Sequence, residues 1–170
     1  MYVSYLTIFE IFVKIESMRL IVQRVKKAEV KVKGKTAGKI GKGLFVLLGV
    51  KEGDTASNAE FLAEKLAKLR VMSDKSDKIN LSVMDLTAQA GTHASILVVS
   101  QFTLYADTMA GNRPSFIKAA KPDEAKKLYE LFIEKLCEHR IEVQTGKFGE
   151  YMEINAELDG PVTIIVDSRE

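Results

Sequence analysis

Cysteine and histidine are nearly absent from this chain of 170 residues, and each shortage removes a class of chemistry. The single cysteine, Cys137, has no partner for an internal disulfide, which fits a reducing cytosol. Two histidines, His93 and His139, are too few for a histidine-based metal site without help. No apolar run reaches the ~20 residues that a membrane-spanning helix needs. Neither sign of charge dominates: 25 basic residues against 23 acidic ones give +2. That balance neither demands nor excludes nucleic acid, because a local patch is enough to bind phosphate. With 46% hydrophobic and 28% charged residues, the composition is that of one ordinary domain with enough length for a core.

Residues 1–17, MYVSYLTIFEIFVKIES, are apolar but interrupted by Glu10, Lys14 and Glu16. Without a basic start they make a poor secretory signal. Met18 opens an alternating strand, so 1–17 read as an N-terminal extension or a misassigned start, and 18–170 as the domain. Alternation through Ala28–Lys33 and the turn at Gly34 predict a β-hairpin. The continuous apolar run Leu44–Val50 predicts a strand buried on both faces. Asp54 is placed to cap a helix over roughly 55–72, with Ala59, Leu62, Leu66 and Leu69 at helical spacing. Residues 80–86 read as extended, 96–104 as the central strand, and 107–115 as a loop containing Pro114. Pro122 suits the first turn of a second helix, with Asp123 and Glu124 at its positive end and His139 and Arg140 at its negative end. Leu128, Phe132, Leu136 and Cys137 would line its core face. Strands follow at 143–145, 152–158 and 164–167. The outcome is one α+β domain, rich in strand, with two main helices.

Familiar site motifs fail. Gly34-Lys35-Thr36 resembles the end of a phosphate-binding loop, but position 29 is Glu where that loop needs Gly. Gly38–Gly43 lies between strands, not at a strand-to-helix turn. Asp74 and Asp77 lack the Gly and terminal Glu of a calcium loop. His139 compensates a helix end, and His93 reads as a surface residue with no ligand at metal spacing.

Two polar clusters beside buried strands remain. Ser100-Gln101-Phe102-Thr103-Leu104 follows Ile96–Val99, and Asp159-Gly160-Pro161-Val162-Thr163 precedes Ile164–Val166. Each alone is more often a strand end or a turn. As a site, the first offers Gln101 and Thr103 on one face of the chain and backbone N–H groups able to stabilise an oxyanion. The second offers a rigid backbone clamp, since X-Pro bonds can be cis at small cost and Gly permits unusual dihedrals. Such a clamp would discriminate by shape.

Together, Ser100–Leu104 and Gly160–Thr163 resemble the two signature motifs of the D-aminoacyl-tRNA deacylases. Gln23-Arg24-Val25, Gly41–Leu44, Asn80-Leu81, Ala106-Asp107, Arg113–Phe116 and Gln144–Gly146 resemble family positions in the family's order. One departure is Leu158, where the family usually has Asn two residues before the Gly. The resemblance implies α/β/β layers, with mixed and antiparallel sheets forming a barrel-like core under two main helices. It implies hydrolysis of the ester of D-aminoacyl-tRNA, with glycyl-tRNA also cleaved, in the cytoplasm, without cofactor or metal. It also implies a homodimer with shared active sites. Gly160 and Pro161 of one copy, in a cis peptide, would complete the site built by Ser100, Gln101, Phe102 and Thr103 of the other. Arg24 would fasten the Gly-Pro carbonyl. An aminoacyl ester is already activated, so a water or the substrate's 2′-hydroxyl could attack while the amides of Phe102 and Thr103 hold the oxyanion. Thr103 Oγ as a covalent nucleophile is the competing mechanism. A related fold, the editing domain of archaeal threonyl-tRNA synthetases, lacks this motif pair. A non-catalytic RNA-binding module of the same fold is the alternative from another class. The sequence does not locate a tRNA-binding patch: candidates such as Lys118, Lys121 and Lys147 are equally plausible as solvated charges.

Overall fold

The computed structural model describes residues 17–168. The expectation for the N-terminal extension therefore falls almost wholly outside the described residues. Eight strands and three helices follow the chain order β1 (Arg19–Val32), β2 (Lys35–Ile40), β3 (Gly43–Gly49), α1 (Ala56–Ala67), β4 (Met72–Ser73), β5 (Ile79–Leu81), α2 (Val83–Ala88), β6 (Ser95–Ser100), α3 (Pro122–Glu138), β7 (Glu142–Thr145) and β8 (Glu153–Asp167). A 3-10 turn, Phe102–Tyr105, follows β6.

The long strand β1 organises a mixed, nearly closed barrel. One edge of β1 pairs with β8 along most of its length. The other edge pairs with β3 through residues 19–25 and with β2 through residues 28–32. Parallel pairing continues the sheet from β3 to β6 and from β6 to β7. The curl brings β2 back against β7. A Cβ at Gly38 would overlap the Thr145 carbonyl, so only glycine allows that closure. The tight β1–β2 turn places Lys33 and Gly34 at φ +50° and +76°, as the Gly34 hairpin signal anticipated.

Both faces of the central strands are buried, as the continuous run Leu44–Val50 required. Leu44, Val46, Leu48, Ile96 and Val98 face α1 and α3, together with Leu62, Leu66, Phe132 and Leu136. Phe45, Leu97 and Val99 face the barrel interior, with Val25, Val30 and Ile40. Burying a side chain of this size contributes about 1.5–3 kcal/mol, so the two clusters dominate the fold's stability.

Several boundaries differ from the sequence reading. α1 starts after Thr55, which shares a capping box with Asn58. Asp54 instead accepts hydrogen bonds from the Met18 and Lys51 amides, at 2.9 and 2.6 Å. Residues 80–86 are not one extended segment. Ser82 and Asp85 form a second capping box that opens α2. Cys137 is exposed rather than packed. The core face of α3 is carried by Tyr129, Phe132 and Leu136.

Candidate active site

β6 does not run to Leu104. It ends at Ser100, and residues 102–105 coil into the 3-10 turn. The turn is fixed on both sides. Gln101 donates its amide to the Leu48 carbonyl at 2.8 Å. Buried Tyr105 donates its hydroxyl to the Ser17 carbonyl at 2.7 Å. The turn lies directly on Gly49, where an added Cβ would approach the Tyr105 ring to 2.9 Å. A helical turn leaves its first amides without intrahelical acceptors. Those of Phe102 and Thr103 take no partner among the described residues. Gln101 donates Nε2 to Thr103 Oγ1 at 2.5 Å. The two side chains meet through the turn, where the sequence reading places them on one face of a strand. No histidine or carboxylate bonds to the Thr103 hydroxyl among the described residues.

Ser100, Gln101 and Phe102 open on a cavity of about 750 Å³. Its walls are largely apolar and include Phe116, Ile117, Phe148, Tyr151 and Met152. Phe116 meets Phe102 edge-on, with ring centroids 5.1 Å apart and planes at 74°. The sequence reading assigns no site role to these wall residues; Phe116 enters it only as a family-like position and Met152 only as the start of a strand, and Ile117, Phe148 and Tyr151 sit in irregular segments where no periodicity marks them. Among the described residues, two charged ones line the cavity, Lys121 and Glu150. Lys33 and Lys147 hold the Glu150 carboxyl below the usual range.

The second cluster is a bulge inside a strand, not a turn between two strands. On β1 a single residue, Arg24, stands between Gln23 and Val25, whose partners are Thr163 and Leu158. Four residues of β8, 159–162, therefore oppose Arg24 and protrude. The Gly160–Pro161 peptide is cis, and Gly160 has φ +143°, a conformation that favours glycine. Buried Arg24 donates Nε to the Asp159 carbonyl at 3.1 Å, so its bond falls on the peptide before the Gly-Pro pair. Its Nη1 donates to the Val71 carbonyl at 3.1 Å and to Ser73 Oγ at 3.3 Å.

The structure does not bring the two clusters together within one chain. The strand order β8-β1-β3-β6 separates them by three strand spacings, on the order of 15 Å. No residue from 158 to 163 lines the cavity. His93 is exposed and bonds to Glu142 at 2.5 Å, an acidic neighbour supplied by β7 and invisible in local sequence.

Residues 21–167 match the family model described as D-Tyr-tRNA(Tyr) deacylase. The chain belongs to that family. A D-aminoacyl-tRNA deacylase of Thermosipho melanesiensis is 52% identical over 153 residues, covering 89% of this chain and 98% of the relative. One of Dehalococcoides mccartyi is 54% identical over 153 residues, covering 90% and 96%. Among solved structures, one described as the c-Myc DNA Unwinding Element Binding Protein has a TM-score of 0.80 at 38% identity, covering 89% of this chain and 99% of that one. A probable eukaryotic D-amino acid tRNA deacylase has a TM-score of 0.75 at 18% identity, a likeness of fold alone. Family membership makes the chain a hydrolase of the deacylase class. Among the described residues no helix is long and apolar enough to cross a membrane.

Proposed function

We propose that this chain hydrolyses the ester linking a D-amino acid to the terminal adenosine of tRNA, in the compartment where translation occurs. The observation that carries the reading is the pair of unpartnered amides at Phe102 and Thr103, beside a cavity open to substrate. They would stabilise the oxyanion that forms when the ester carbonyl is attacked, at about 3 kcal/mol per well-placed donor. Attack comes from a water or from the substrate's own 2′-hydroxyl. Gln101 occupies the Thr103 oxygen, and no base bonds to it among the described residues, so that hydroxyl is a poor nucleophile.

The clamp half of the site comes from a second copy of the chain. Gly160 and Pro161 are exposed on a strand whose outer edge takes no strand partner among the described residues, and they do not line the cavity of their own chain. A homodimer in which each bulge enters the partner's cavity supplies the missing wall. An L-side chain would collide with that backbone, and a D-side chain would point outward. Glycine, with no side chain to reject, would also be cleaved. The test is deacylation of D-Tyr-tRNA, L-Tyr-tRNA and Gly-tRNA, with and without a chelator. The reading requires turnover of the first and third, little of the second, and no chelator effect. Absence of turnover on D-Tyr-tRNA favours a binding module instead.

A further inference from the structure

We infer that Lys121 is the residue that grips the phosphate backbone at the aminoacylated 3′ end of the tRNA. The inference rests on the deacylase reading and separates lysines, Lys118, Lys121 and Lys147, that in the sequence are equally plausible as solvated charges. The structure separates the three by their partners. Lys118 Nζ lies 3.1 Å from Asp107 Oδ2. Lys147 Nζ lies 3.4 Å from Glu150 Oε1. Lys121 has no carboxylate partner among the described residues, and it alone of the three lines the cavity.

The charge balance at the mouth points the same way. Glu150, the one acidic residue of the cavity wall among the described residues, is already faced by Lys33 at 3.6 Å and Lys147 at 3.4 Å. The acids nearest Lys121 in the chain, Asp123 and Glu124, lie in the first turn of α3 and do not line the cavity. Lys121 is therefore the uncompensated charge of the wall.

Its position is also fixed. The Ala120 amide donates to the Val50 carbonyl at 3.0 Å, and Glu52 donates to the Lys118 carbonyl at 3.0 Å. The backbone on which Lys121 stands is thus tied to the end of β3. A flexible ammonium on an anchored backbone can meet a phosphate oxygen as a point charge. The terminal nucleoside must reach Phe102 and Thr103 while the phosphates behind it leave through the mouth. A free cation in the same wall meets them there.

The test compares two substrates that differ only in phosphate: D-Tyr-tRNA, and adenosine carrying the same D-tyrosyl ester with no phosphate. Lys121→Met keeps the aliphatic stem and removes the charge. The expected result is a fall in kcat/KM on D-Tyr-tRNA of about two- to fivefold at low salt, carried by KM. The slope of log kcat/KM against log salt should shrink by about 0.7, the value for one single-stranded phosphate contact. The rate on the adenosine ester should not change, and Lys121→Arg should restore both rate and slope. Equal losses on the two substrates, or no loss on tRNA, overturn the assignment. If the wild type cleaves neither substrate, the deacylase reading itself fails, a result distinct from failure of the Lys121 role.

Discussion

Arg24 and Asp159 are joined twice: Arg24 Nε donates to the Asp159 carbonyl at 3.1 Å and lies 3.2 Å from the Asp159 carboxylate. The same guanidinium reaches Val71 and Ser73, so one buried side chain ties the base of the Gly-Pro bulge to the strand region behind it. Lysine keeps the charge but cannot serve three acceptors in a fork. Arg24→Lys is expected to lower stability by about 1–3 kcal/mol, since buried carbonyls lose their donor. It should also loosen the clamp, so that the preference for D-Tyr-tRNA over L-Tyr-tRNA falls. Denaturant unfolding and the ratio of the two kcat/KM values measure these effects. An unchanged ratio would show that Arg24 serves stability alone.

Thr103 separates the two mechanisms. Replacement by Ala keeps the backbone amide and removes the hydroxyl. With the amides as the main stabilising groups, the rate should fall by no more than about tenfold, whereas Phe102→Pro, which deletes a donor, should cost about 10²–10³ in kcat. Loss of all activity in Thr103→Ala, with an acyl-enzyme trapped in the wild type, supports the covalent route instead.

Phe116 holds the Phe102 ring edge-on at 5.1 Å. Such a pair contributes about 0.5–1.5 kcal/mol beyond its buried area. In Phe116→Ala the turn carrying the amides loses a lateral support, and kcat should fall more than KM rises. Phe116→Tyr retains the ring contact and should restore the rate. A pure KM effect in the alanine variant would mean that Phe116 contacts substrate only.

Asp107 gives a pH prediction. Its carboxylate accepts the Met109 amide at 3.0 Å and faces Lys118, and these hold its pKa below the usual carboxylate value. A depressed folded pKa means that the ionised group stabilises the fold above the unfolded value, near pH 4, and that this contribution is lost as pH falls through the folded value. The Tm difference between wild type and Asp107→Asn should be constant from pH 7 down to about 5 and close below about 4. A constant gap down to pH 3 would assign the effect to neutral hydrogen bonding.

Much of this architecture was legible in local pattern. Leu44–Val50 announced a strand buried on both sides, and Pro122 with Asp123 and Glu124 announced the start of α3. Ser82 and Asp85 carried a capping-box spacing that marks the start of α2, although the segment reads as extended on hydrophobicity alone. The motif residues Ser100–Thr103 and Gly160–Pro161 were legible too. Their geometry was not. The bulge exists because β8 pairs with β1 on both sides of Arg24, a register set by residues some 135 positions apart. The cavity walls were hidden for the same reason: Phe116, Phe148 and Tyr151 converge only through the path of the backbone.

In the proposed function each site is built from two copies, and mixing two defective variants tests this directly. Phe102→Pro disables the turn. Gly160→Val disables the bulge, because Gly160 sits at φ +143° and a Cβ there would approach the Val162 amide nitrogen to 2.6 Å. Each homodimer alone should be inactive on D-Tyr-tRNA. Unfolding the two together and refolding them as a mixture gives half mixed dimers, each with one intact turn facing one intact bulge. Activity should return to about a quarter of the wild-type level for random pairing. A mixture as inactive as its components, with mixed dimers demonstrably present, would place both halves of the site in one chain and contradict the account.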